Sequence, residues 1–170
     1  MPAYVALLRA VNVGGTGALA MSDLRRLCAE AGFLRTETYI ASGNAVFEAD
    51  QAEAEIRGRL ERALARHLGA PFAVLVRSAQ ELAAALAGNP FPDLPEKFTY
   101  ALFLPSPPVP ADLAAARGRS DERLAFGARE IYLGYPSGMG RSKLTLPASK
   151  AGTARNMNTL AKLAQMALAR

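Results

Sequence analysis

The residues best suited to chemistry in this chain are cations and small polar groups rather than acid–base pairs. Arg141, Lys143 and Lys150 fall in one stretch, GYPSGMGRSKLTLPASKAG (134–152), with Ser137, Ser142 and Ser149 among them. TARNMN (153–158) follows and carries Arg155 and Asn156 into an expected helix start, where Thr153 suits the N-cap. Guanidinium and ammonium groups beside hydroxyls at a helix N-terminus suit an anion such as a phosphate. Arg155 in a first helical turn would oppose the helix dipole, so an anion or a carboxylate elsewhere should compensate it. The alternative for the whole stretch is a solvated basic loop resting on acidic helices of the first half.

A second polar group lies near the start of the chain. Arg9, Asn12, Gly14 and Gly15 belong to LLRAVNVGGTG (7–17), and Ser42 and Asn44 to ASGN (41–44). Backbone N–H groups between a strand and a helix can hold an anion. The glycines match neither GxGxxG nor GxxxxGK, and no lysine follows them. Both readings of Arg9 stay open: a salt bridge to a neighbouring helix, or a contact to an anionic ligand. Ser42 and Asn44 are turn-formers or ligand contacts.

Other chemistries find little support. His67 is the sole histidine and Cys28 the sole cysteine. No carboxylate set at ligand spacing accompanies them, so neither a metal nor another cofactor is called for. No nucleophile–base pair or pair of carboxylates stands out, which leaves any catalytic residue unassigned. Cys28 shares a helical face with Leu24 and Leu27 and reads as a buried thiol. A lone cysteine implies no disulfide framework and suits a reducing compartment. MPAYVALLRA has no apolar run long enough for a signal peptide, and no run approaches a membrane span. The expected location is the cytoplasm.

The chain has 170 residues and a net charge of +5. No acidic residue follows Glu130, and the last 40 residues hold six basic ones. The first 130 therefore carry 14 basic and 15 acidic residues, so the whole basic excess lies in the C-terminal quarter. Such a segment favours a phosphate-containing small molecule or a nucleic acid.

The elements that must position these groups can be read in order. Tyr4 to Ala10 is an apolar run read as a central strand. A helix opens near Ser22, with Ser22 as N-cap, and ends at Gly32. A hairpin pairs 36–40 with 45–48, and Gly43 and Asn44 supply the positive φ of its turn. Gln51 to Leu68 forms a long helix with Ile56, Leu60, Ala63 and Leu64 inward, and Glu55–Arg59 as one of its surface pairs. Phe72 to Val76 is the next strand. The order β-α-β-β-α-β is that of a ferredoxin-like plait, placed over 1–77. A helix at Ala79 to Ala87 and the proline-rich NPFPDLP (89–95) make a linker over 78–97. The remainder, 98–170, reads as strand 98–104, helix 111–117, strands 123–126 and 130–133, and a final helix 155–169. The fold class is thus α+β: two alpha-beta plait subdomains, the second incomplete or permuted, with a C-terminal helix. Its last strand is expected to be missing or supplied from elsewhere, as by strand exchange in a homodimer. Monomer and homodimer both stay open.

Four ordered stretches carry a resemblance: LLRAVNVGG (7–15), YIASGNAVF (39–47), NPF (89–91) and TARNMNTLAKL (153–163). Together they resemble the bacterial family called domain of unknown function 1697, nearly end to end. The resemblance implies two plaits in one chain and an apolar packing role for Met157, where the family usually has tryptophan. It implies no activity. Three functional classes remain: a protein binding a phosphate-bearing ligand (nucleotide or RNA) through its basic C-terminal loop, an enzyme acting on a small anionic substrate, and a structural or interaction protein. The strands LLRAV (7–11) and YIAS (39–42) lack the aromatic pair that stacks RNA bases.

Overall fold

The computed structural model describes residues 1–9, 19–40 and 43–170. It is a mixed α+β structure with two four-stranded antiparallel sheets and five α-helices among the described residues. The chain divides into two compact units. Unit 1 comprises Met1–Leu82 and Leu163–Arg170, and unit 2 comprises Ala83–Lys162.

In unit 1 the order is β1 (Ala3–Leu8), α1 (Met21–Glu30), β2 (Leu34–Thr38), β3 (Asn44–Glu48), α2 (Glu53–Leu68) and β4 (Val74–Ser78). The strands lie β2-β3-β1-β4, and every neighbouring pair is antiparallel. Val5 to Leu8 of β1 are buried without interruption, as expected of a central strand. On one face Ala6, Leu8, Phe47, Val74 and Val76 meet Leu24, Leu27 and Cys28 of α1 and Ile56, Leu60 and Leu64 of α2. Phe33 and Phe47 stack there at 4.5 Å. Burial pushes the Cys28 thiol up to about 12, so it is a packing residue and not a thiolate at neutral pH.

Several local expectations shift. Ala20, not Ser22, is the N-cap of α1, and no side chain caps it. Gly32 does close the helix, at φ 93°, and Phe33 N–H reaches back to the Cys28 carbonyl. Gly43 takes positive φ at the hairpin, but the second such residue is Ile40 rather than Asn44. Asn44 belongs to β3, is fully buried, and donates from Nδ2 to the Tyr39 carbonyl at 2.9 Å. The strand expected at 72–76 is β4, two residues further on, because its register is set by pairing Val74 with Leu8.

Helix α3 (Ala79–Ala87) opens on a reciprocal cap: the Ser78 hydroxyl accepts the Glu81 N–H and the Glu81 carboxylate accepts the Ser78 N–H. Unit 2 then contains β5 (Thr99–Phe103), α4 (Pro110–Ala114), β6 (Arg123–Phe126), β7 (Glu130–Gly134) and β8 (Thr153–Asn156), and α5 (Met157–Leu168) begins in it. Its sheet order is β6-β7-β5-β8, again all antiparallel. The last strand is therefore neither missing nor borrowed. It is β8, hidden in a segment that reads locally as a helix start. The structural reason for a strand-exchanged dimer disappears with it.

The two sheets share one strand order, and their last strands share a residue pattern. VRSAQELA (76–83) and ARNMNTLA (154–161) align without a gap. Arg77 pairs with Val5 and Arg155 with Ala101, each at the centre-strand neighbour of its sheet. Both arginines are buried, and each donates from Nη1 to the carbonyl of the residue before it. Leu82 and Leu160 are both fully buried one turn later.

Candidate functional site

The stretch 134–152 is built by its few apolar anchors. Tyr135 is buried, donates its N–H to the Phe98 carbonyl and meets Tyr100 edge-on at 5.5 Å. Met139–Arg141 and Pro147–Lys150 form single 3-10 turns. Between them Thr145 exchanges both backbone hydrogen bonds with Arg117, at 3.0 and 2.8 Å. Leu146 is buried beside this bridge. The loop is thus fastened along its length to unit 2.

Fastening it creates a cleft of about 340 Å³. One wall is the 118–122 segment, and the other is formed by Ser137, Gly138, Arg141, Ser142 and Lys143. Gly118 adopts φ 71° and lies against the backbone of Lys143, which brings the two walls together. Serine–carboxylate bonds cross between them. Ser137 Oγ donates to Asp121 Oδ2, and Ser142 Oγ to Glu122 Oε2. The Ser142 hydroxyl also accepts the Leu144 N–H at 3.1 Å.

Glu122 is the hub of one wall. Only 4% of it is exposed. Its Oε1 accepts the Ser120 N–H, and its carbonyl accepts from Arg119 Nε at 2.9 Å. The Ser142 hydroxyl, then the Ser120 N–H, hold its carboxyl below the ordinary value. A depressed folded-state value contributes stability that is complete above the unfolded-state value and lost as pH falls through the folded one. The melting temperature of the wild type is therefore expected to drop in acid below about 4.5. Glu122→Gln should be less stable at neutral pH and show a flatter decline in that range. Equal acid slopes in thermal melts of the two proteins would contradict this role.

With both carboxylates engaged by serines, the cations stand apart. The side chains of Arg141 and Lys143 make no hydrogen bond or ion pair among the described residues, and both line the cleft in exposed positions.

The structure sorts the remaining expected site residues into other places. Lys150 is exposed in the second 3-10 turn and does not line this cleft. Arg155 lies on β8 rather than in a first helical turn, so the dipole conflict expected for it does not arise. It is 6% exposed, and its Nη1 donates to Thr153 Oγ1 at 2.6 Å and to the Ala154 carbonyl at 3.0 Å. Burial lowers its guanidinium to about 10. Thr153 does not cap α5; Asn156 does, its Oδ1 accepting the Thr159 N–H at 2.9 Å. Arg9 is half-buried just past the end of β1, and Asn44 is interior to unit 1. Asn12, Gly14, Gly15 and Ser42 lie outside the described residues.

The basic C-terminal quarter is accordingly not one uniform face. Arg155 is interior, and the Arg170 side chain is 4% exposed and donates to the Arg35 carbonyl at 2.6 Å. The acidic side chains that meet the loop are Asp121 and Glu122, which the sequence reading passed over. The signal was available as SDE (120–122), an acidic run just before a strand in an otherwise basic neighbourhood. Met157 takes the expected packing role at 1% exposure.

Among the described residues no cluster of His, Cys, Asp or Glu is arranged to hold a metal ion, and no helix is long and apolar enough to cross a membrane. No curated protein matches the sequence. A solved structure of similar fold is that of the conserved bacterial protein SP0830 from Streptococcus pneumoniae, with a TM-score of 0.79 and 28% identity over 97% of this chain and 98% of that one. A family model matches residues 1–132, so the motif at 153–163 lies beyond the matched span. The chain belongs to that family, DUF1697, described as a protein of unknown function.

Proposed function

We propose that this protein binds a small phosphate-bearing ligand, of the nucleotide class, in the cleft of unit 2. The observation that carries the reading is the pair Arg141 and Lys143: two cations without partners beside carboxylates already taken by serines. Neither cation is ion-paired by the protein, and together they offer a fork of donors and a point charge to phosphate oxygens. The volume is in the range of small-molecule sites. We read each unit as a ferredoxin-like plait and the protein as bacterial and cytoplasmic. The strand order β4-β1-β3-β2 in unit 1 supports the first, and the similarity to a bacterial protein supports the bacterial origin.

The test is a thermal-shift titration with ATP and with inorganic pyrophosphate. A ligand at about 100 times its Kd stabilises the native state by roughly 2.7 kcal/mol, which raises the melting temperature by roughly 5–10 °C in a chain of this size. Arg141→Ala/Lys143→Ala should lose the rise while melting like the wild type without ligand, because neither side chain holds the fold. No rise with either probe, or an equal rise in the variant, would overturn the reading.

A further inference from the structure

Unit 1 carries its own concentration of arginine. Over the first 130 residues acids and bases nearly cancel, yet the groove between α1 and α2 gathers more arginines than carboxylates. Two adjoining hollows of about 240 and 330 Å³ run along the groove between α1 and α2 and share Glu30, Ala63 and Arg66. Arg26, Arg59, Arg62 and Arg66 line them, with Glu30 the one carboxylate in the lining. Arg26 is engaged by Glu30 at 2.9 Å, and Arg59 by Glu55 at 2.8 Å and the Ala31 carbonyl at 3.1 Å. Arg62 and Arg66 are exposed, and their side chains make no hydrogen bond or ion pair among the described residues. They stand four residues apart on one helix, where like charges repel.

We infer that this groove is a docking surface for the phosphate backbone of a nucleic acid strand. The hollows are continuous along the helices and open, so they suit an extended ligand more than an enclosed one. Their apolar floor is Leu27, Ala31 and Ala63, too shallow to seat the bulky anchor that a bound peptide uses. No Phe, Tyr or Trp lines them, and the one ring there, the His67 imidazole, lies against Arg26 and Asp23, so bases have no free platform to stack on and binding is indifferent to sequence. Guanidinium groups one turn apart then meet successive phosphates, and the repulsion between Arg62 and Arg66 is relieved on binding. This inference does not depend on the cleft of unit 2.

The experiment is fluorescence anisotropy of a labelled oligouridylate with the full chain across a salt series. Each phosphate neutralised contributes about −0.7 to the slope of log K against log salt. Arg62→Ala/Arg66→Ala should flatten the slope by about 1.4 and weaken binding. Arg62→Lys/Arg66→Lys should keep the slope. Thermal melts of the variants should match the wild type, since neither arginine has a partner to lose. The inference is overturned by no binding to the wild type, by an unchanged slope in the alanine variant, or by polyglutamate displacing the oligonucleotide as effectively as unlabelled oligouridylate does. The last result would reassign the groove to an acidic protein.

Discussion

Gly118→Ala is expected to destabilise unit 2 by roughly 2–4 kcal/mol and to abolish ligand binding in the cleft. Two penalties combine. Gly118 sits at φ 71°, a conformation that an L side chain adopts at a cost of about 1–2 kcal/mol. A Cβ there would also overlap the carbonyl oxygen of Lys143, which is backbone and cannot rotate aside. Relief requires the 117–118 segment to move away from 143–145, which breaks the Arg117–Thr145 bridge and shifts Lys143 out of the cleft. Denaturant unfolding measures the first effect and the thermal-shift titration the second. Wild-type stability together with wild-type ligand response would show that the two walls are not held by this contact. Gly69 supplies a comparison on the same molecule. It also has positive φ, but a Cβ there meets nothing within 4 Å, so Gly69→Ala should lose only the conformational part.

The second large effect belongs to the core of unit 1. Phe47→Ala should lower stability by about 3–5 kcal/mol. Phe47 is fully buried on β3, between the sheet and its two helices, and stacks nearly parallel on Phe33 at 4.5 Å. Truncation removes the ring from a close-packed cluster and leaves a cavity that the flanking β1 and β2 strands hold open. The loss should appear in denaturant unfolding as a lower midpoint. A change under about 1 kcal/mol would mean that the Phe33 ring or a neighbouring side chain refills the space.

What the sequence revealed followed from how local each signal is. Helix α3 at 79–87 and strand β6 at 123–126 are as expected, because an alanine-rich run and a short apolar run before Gly127 need no distant partner to be recognised. The buried stripe of α2 was equally plain from the spacing of Ile56, Leu60, Ala63 and Leu64. Strand β8 was not legible. It is four residues long, TARN, and its identity comes from pairing with β5 some fifty positions earlier, Tyr100 against Asn156 and Phe103 against Thr153. Threonine and asparagine serve equally well in a cap, so the local reading chose the helix. Missing that strand misplaced Arg155 and left the second sheet open. The positive φ of Ile40 was unreadable for a different reason, since nothing in an isoleucine side chain favours it.

The candidate cleft was half legible. Arg141, Lys143, Ser137 and Ser142 stood out as a polar loop too long to be a plain connection. Ser120, Asp121 and Glu122 did not, because a coil segment before a strand has no periodicity to mark it. The loop's order depends on those residues and on Gly118, which enter only when the chain has folded back. Arg62 and Arg66 carry no mark in the sequence beyond their places on the long helix, and the gathering of Arg66 with Arg26 depends on how α1 packs beside α2.

The most direct test of the cleft as a phosphate site is a heteronuclear NMR titration of the isotope-labelled protein with inorganic pyrophosphate. Saturable shifts are expected at the backbone amides of Gly118, Ser120, Gly138 and Ser142, absent in Arg141→Ala/Lys143→Ala. No saturable shift at these amides, or the same shifts in the variant, would contradict the account.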